Sequence, residues 1–151
     1  MQSTMVEARV IPTGSMLPTI QLQYRVFIDK IFYKLSDIKR GDIIVFKPPS
    51  SQDSEGEKWL KRVIGLPGEV VEIKGGKVYI DNVALYESYI LEEPDYQLGP
   101  IEIPEDSYLV LGDNRNNSLD SHYWGVLPAD NIVGRVFIRY WPLPQFGFLP
   151  R

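Results

Sequence analysis

Apolar and polar positions alternate only over short distances in this chain. Gly and Pro, twelve of each, break the pattern repeatedly, and β-branched and aromatic residues fill the intervals. That is the signature of many short strands. Residues 25–34 (RVFIDKIFYK) open with near alternation and predict one strand. Residues 41–47 (GDIIVFK) predict a second after the polar turn at 37–40, and 58–64 (KWLKRVI) a third, closed by Leu66-Pro67-Gly68. Residues 69–74 and 77–81 flank Gly75-Gly76, a two-residue hairpin turn whose positive φ angles glycine accepts cheaply. Residues 107–111 and 135–141 predict two further strands. No window carries a long i, i+3, i+4, i+7 apolar stripe, so long helices are not expected, and 128–133 supplies at most one short turn. Residues 50–57 (SSQDSEGE) read as a polar surface loop and 92–104 (EEPDYQLGPIEIP) as an irregular connection. No repeat or linker divides the chain. The expected fold is a mainly β, antiparallel single domain over 1–151, with a flexible start at 1–5 and a C-terminal arm at 142–151.

Composition narrows the chemistry. A length of 151 residues suits one well-filled core, and 44% hydrophobic with 24% charged residues is the balance of a globular domain. The net charge of −4 argues against a general nucleic-acid binder, which needs a basic surface to displace counterions. The absence of cysteine excludes disulfides, thiolate nucleophiles and Cys-type metal sites. A single histidine, His122, excludes a multi-histidine metal site. No metal or organic cofactor is expected. The longest purely apolar runs, such as 43–46 and 109–111, fall far short of the roughly 18–20 residues of a membrane span. The opening MQSTMVEARV has neither the basic flank nor the apolar centre of a secretory signal.

Chemistry therefore rests on Ser, Thr, Lys, Tyr and carboxylates, and three segments concentrate them. In Ile11-Pro12-Thr13-Gly14-Ser15-Met16-Leu17-Pro18-Thr19 a serine follows glycine on a backbone stiffened by two prolines. In 59–69 (WLKRVIGLPGE), strand alternation sets Trp59, Lys61 and Val63 on one face and Leu60, Arg62 and Ile64 on the other. An amine between an indole and a valine is pointed toward apolar surroundings, where burial disfavours its charged form. The third segment, 112–125 (GDNRNNSLDSHYWG), is dense in turn-forming Asp, Asn and Ser directly after a strand.

Together these segments resemble the type I signal peptidases, serine proteases anchored in membranes that remove signal peptides from exported proteins. Ser15-Met16-Leu17-Pro18-Thr19 is similar to the nucleophile box, and Lys39-Arg40-Gly41-Asp42-Ile43-Ile44-Val45-Phe46 to a second box. Lys61-Arg62-Val63-Ile64-Gly65-Leu66-Pro67-Gly68-Glu69 is similar to the general-base box. Gly112-Asp113-Asn114-Arg115, Asn117-Ser118, Asp120-Ser121 and Tyr123-Trp124-Gly125 resemble the last, and the boxes stand in family order from about residue 6 to 141.

The resemblance implies a signal-peptidase/LexA-like β fold and a Ser/Lys mechanism through an acyl-enzyme. Ser15 is then the nucleophile, Lys61 its general base, Ser118 the hydroxyl that orients the amine, and Thr13 an oxyanion-hole donor where many bacterial members have serine. Ile11, Pro12, Met16, Ile20, Trp59 and Leu60 correspond to substrate-binding positions for an extended peptide with small residues at −1 and −3. Arg62, Asp113, Arg115 and Asp120 are structural support, with Asp113 the expected partner of Arg62. His122 and Asp120 stand two apart in a turn-rich segment, so a Ser-His-Asp triad with Ser15 is not expected. Members carry a membrane span just before the serine box; the expectation here is a catalytic portion without that span, acting on the extracytoplasmic side, periplasmic or thylakoid-lumenal. The implied partners are signal peptides and a membrane surface, toward which Phe146, Phe148 and Leu149 are candidates, and no nucleic acid. Two other readings are a self-cleaving LexA-like Ser/Lys domain, whose internal Ala-Gly site and DNA-binding segment are not visible, and a non-catalytic peptide-binding homologue. The joint presence of Ser15, Lys61 and Ser118 weighs against the latter.

Overall fold

Short β-rich segments between Gly and Pro breaks pair into two antiparallel sheets. The computed structural model describes residues 6–10, 14–20, 25–30, 37–49, 52, 56–141 and 147–150. Its strands are β1 (Val6–Val10), β2 (Arg25–Asp29), β3 (Ile43–Phe46), β4 (Trp59–Gly65), β5 (Val70–Lys74) and β6 (Lys77–Ile80), followed by β7 (Val83–Ala84), β8 (Leu98–Glu102), β9 (Ser107–Leu111), β10 (Leu127–Pro128), β11 (Ile132–Trp141) and β12 (Gly147–Phe148). The larger sheet runs β1-β2-β11-β3-β4-β9-β10, with β12 added on β11, and the smaller runs β7-β6-β5-β8. A single helical turn, α1 (Ser121–Trp124), follows β9, and 3₁₀ turns occupy Arg115–Asn117 and Ala129–Asn131.

Strand register follows the sequence pattern where the pattern is strong. Lys74 faces Lys77 across Gly75 and Gly76, whose φ angles are +58° and +78°, so β5 and β6 form the expected tight hairpin. The faces of β4 divide as its alternation requires. Trp59 and Val63 join a cluster with Ile44, Phe46, Val110 and Leu127. Leu60 packs on Met16, Ile20, Ile43 and Val45, and Ile64 on the core beneath the smaller sheet.

Three departures have physical causes. The connection read as irregular at 92–104 contains β8, which pairs only with β5 and so lies at a sheet edge, where Pro100 removes no needed ladder donor. Residues 121–124 form α1, one turn long and invisible to periodicity; the Asp120 side chain caps it by accepting from the His122 N–H. β11 starts at Ile132, ahead of the expected 135, because Gly134 lets the strand close on Ile28 and the Asp29 carbonyl, where a Cβ would collide.

Candidate active site

The site forms where the larger sheet opens. β4 pairs with β3 from Trp59 to Arg62 (Phe46 opposite Trp59, Ile44 opposite Lys61). Its pairing with β9 starts only at Arg62 opposite Leu111. Among the described residues no strand therefore pairs with Trp59–Lys61 on that side. The turn carrying Ser15 sits there, fastened from both ends. Asn114 donates its backbone N–H to the Ser15 carbonyl at 2.9 Å and its amide to the Gly14 carbonyl at 3.1 Å. Leu17 N–H bonds the Gly14 carbonyl at 3.1 Å and Ile20 N–H the Met16 carbonyl at 3.0 Å. Met16 and Ile20 anchor this turn in the core at 1% and 0% exposure. Both are expected to line a substrate pocket, and in the structure side chains of β2, β3 and β11 pack against them.

Lys61 reaches across the opening. Its Nζ lies 2.9 Å from Ser15 Oγ, and the two residues are 5% and 8% exposed. Burial lowers the Lys61 amine to about 8, against a smaller opposing pull from the Asp120 carboxylate. The Trp59 ring stands 5.9 Å from Nζ and is itself 6.5 Å from the ring of Trp124, which lies 6.0 Å from Phe46. These aromatics supply the dry wall that the sequence assigned to Trp59 and Val63.

Ser118 Oγ is buried without a hydrogen-bond partner. The expected bond between this hydroxyl and the amine is not made; the bond from Lys61 Nζ goes to Ser15 Oγ. Ser118 still belongs to the neighbourhood: a Cβ on Gly112 would collide with both Ser118 Oγ and the Ser15 carbonyl oxygen. A glycine at 112 is what allows the nucleophile turn, β9 and Ser118 to approach this closely.

Arg62, on the opposite face of β4, is fully buried. It grips Asp113 through two parallel bonds, Nε to Oδ1 at 2.8 Å and Nη2 to Oδ2 at 2.7 Å. Its Nη1 donates to the carbonyls of Gly41 at 2.8 Å and Pro150 at 2.6 Å. Asp113 Oδ2 also accepts from Thr19 Oγ1 at 2.5 Å, which ties the pair to the nucleophile turn. Arg115 donates Nε to the Gly112 carbonyl at 2.9 Å and clasps Glu87 at 2.7 and 2.5 Å. Asp120 Oδ2 accepts from the Gly112 N–H at 2.9 Å.

Sequence reasoning missed three members of this support. Tyr89 places its ring 3.9 Å from the Arg62 guanidinium and 6.0 Å from that of Arg115, and donates its hydroxyl to Glu87 at 2.9 Å. Thr19 was inside the serine box but was given no role. Glu87 and Tyr89 lie in a stretch without a motif, and only the need of a buried Arg115 for a counter-charge signals them. Thr13, Ile11, Pro12 and Phe146 lie outside the described residues. Phe148 is exposed, whereas Leu149 packs against the cluster around Met16. Among the described residues no group of His, Asp and Glu could hold a metal ion, and no helix is long and apolar enough to cross a membrane.

A serine hydroxyl hydrogen-bonded to a lysine whose charged form is penalised by burial defines a Ser/Lys hydrolase. The comparisons agree with that class. The family model for signal peptidase, peptidase S26, matches residues 1–141. A "Signal peptidase I" from Leptolyngbya laminosa is 52% identical over 147 residues, covering 95% of this chain and 72% of the relative. A "Probable signal peptidase I-2" from Synechocystis is 49% identical over 145 residues, covering 95% of this chain and 66% of the relative. The crystal structure of a signal peptidase I from Enterococcus faecalis matches with a TM-score of 0.56 at 36% identity, over 66% of this chain and 97% of that one. This chain belongs to the type I signal peptidase family. It spans about two thirds of the length of the Synechocystis relative.

Proposed function

We propose that this chain is the catalytic portion of a signal peptidase that cuts exported proteins after an Ala-X-Ala-type site, with Ser15 as nucleophile and Lys61 as general base. The observation that carries the reading is the 2.9 Å contact between Nζ and Oγ inside a buried site. A lysine near its ordinary value of about 10.4 is neutral less than once in a thousand at pH 7. Lowered to about 8, roughly one molecule in ten presents a free amine at that pH. That gain is what makes the amine a usable base.

Neutral Lys61 takes the Ser15 proton as Oγ attacks the scissile carbonyl carbon, and the carbonyl oxygen becomes an oxyanion. The Ser15 backbone N–H and the Thr13 hydroxyl are the proposed donors to it. As the C–N bond breaks, the Lys61 ammonium protonates the leaving amine, and an ester remains on Ser15. Neutral Lys61 then takes a proton from a water as its oxygen attacks the ester carbon, and returns that proton to Ser15 Oγ as the C–O bond to serine breaks, releasing the carboxylate product. Ser118, with an unspent hydroxyl beside the site, is the group that would hold the amine in line once Ser15 is acylated.

The unpaired edge of β4 at Trp59–Lys61 suits an extended peptide that adds as a further strand, main-chain bonds giving affinity and small side chains fitting shallow pockets. Trp59 and Leu60, both half-buried on that edge, are the proposed peptide contacts. Family membership supports a place on the extracytoplasmic face of a membrane, with exposed Phe148 on the membrane side. The test is cleavage of a peptide carrying Ala-X-Ala before the scissile bond. Ser15→Ala and Lys61→Met should each lower kcat by at least about 10³-fold. A Lys61→Met protein that keeps near-normal turnover overturns the assignment.

A further inference from the structure

Four aspartates are buried among the described residues: Asp29, Asp42, Asp113 and Asp120. Three of them meet arginine. Asp113 is clasped by Arg62, and Asp29 and Asp42 lie 3.6 and 3.5 Å from Arg135. An arginine carries its charge at every working pH. The fourth, Asp120, has no exposed surface and meets His122 instead, with Oδ1 at 2.5 Å from Nδ1. Its remaining bonds come from the backbone N–H groups of His122 and Gly112. Asp120 is also the carboxylate whose charge acts on the Lys61 amine, and its Oδ2 holds the Gly112 N–H where that glycine packs on Ser118 and the Ser15 carbonyl; of the four, it alone has a counter-group whose charge depends on pH.

We propose that His122 is a positioning residue that acts through Asp120 to help Lys61 give up its proton when the imidazole gains one. The proposal rests on the Ser/Lys reading. With a neutral imidazole, Nδ1–H donates to Oδ1 and Asp120 keeps a full negative charge, which holds the proton on Lys61. With an imidazolium the pair is neutral, and that hold is released. The two protons therefore oppose one another.

The surroundings of the ring favour this behaviour. Tyr96, from the segment before β8, stacks on the ring at 3.8 Å and 7°, and Tyr123, from α1 itself, lies at 4.1 Å and 41°. The stacked face of Tyr96 suits a cation. Glu87, Arg115 and Asp95 stand around Tyr96, and Glu87 is committed to Arg115. Asp120 is the charged group in direct contact with the ring, and its charge also acts on Lys61. The side chain of His122 is about one-tenth exposed, so protons reach it.

The test uses the only histidine in the chain, whose imidazole resonance is unambiguous. In the Lys61→Met protein the His122 titration should move to higher pH by about half a unit or more, since linkage makes the coupling reciprocal. The readout needs no turnover, so it stands or falls apart from the Ser/Lys reading, which the loss of cleavage in that variant tests. In wild type the acid limb of kcat/KM should fall less steeply than a one-proton curve. His122→Gln, uncharged at every pH, should restore the one-proton slope. His122→Arg, whose planar cation can occupy the same stack, should move the limb to lower pH by a similar half unit. An unmoved imidazole titration in Lys61→Met, or superimposable limbs for wild type, His122→Gln and His122→Arg, would overturn the proposal.

Discussion

At the scale of single residues, the Ser15–Lys61 contact is legible in the sequence because the neighbours of each residue dictate its placement. Gly14 and two prolines mark Ser15, and alternation in β4 points Lys61 to the Trp59 face. What alternation cannot show is that β4 and β9 separate just at Lys61, which is what gives the amine access to Ser15. Ser118 illustrates the opposite case. Motif order assigned it a bond to the amine, but its buried hydroxyl has no partner. An unsatisfied buried hydroxyl costs about 1–3 kcal/mol, so Ser118→Ala should leave stability unchanged or raise it by about 1 kcal/mol in urea unfolding. Its kcat on peptide should nonetheless fall by one or more powers of ten, if this hydroxyl holds the amine during deacylation. Equal losses of kcat and folding stability would instead mark Ser118 as a packing residue.

At the scale of elements, the strands with strong alternation or a glycine turn were readable, and those stabilised by tertiary pairing were not. β8 is hidden by its proline and α1 by its brevity. The same limit applies to the support of the site. Alternation in β4 sets Arg62 on the face away from Lys61, and the family resemblance names Asp113 as its partner, whereas Tyr89 and Glu87 arrive from a connection with no periodic signal. This buried network holds the nucleophile turn through Thr19. Asp113→Ala strips a counter-charge from a fully buried guanidinium and should cost about 3–5 kcal/mol of stability. Thr19→Val removes the bond donated to Asp113 and the longer one accepted from Arg62 at 3.4 Å but leaves the ion pair, with an expected cost of about 1–2 kcal/mol. Thermal unfolding of both proteins checks the ranking, and a larger loss for Thr19→Val contradicts this account of the network.

For the whole molecule, function is stored as a stability debt at one position. Lys61 binds its proton less tightly in the fold, at about 8, than in the unfolded chain at 10.5. The unfolded state therefore holds more protons between those values, and stability rises with pH across that window. Below about pH 8 the whole penalty, on the order of 3 kcal/mol, is present. Lys61→Met should be more stable than wild type at pH 7 by up to that amount, with the difference shrinking as pH rises from 8 toward 10.5. A constant difference would mean that the amine is not depressed by burial.

The pH dependence of kcat/KM for the Ala-X-Ala peptide tests the central claim most directly. A buried amine that must be neutral to accept the Ser15 proton predicts a rise with pH to half its maximum near pH 8, and no comparable activity in Lys61→Met at any pH. A rate already level from pH 6 upward, or a midpoint near 10.4, would contradict it.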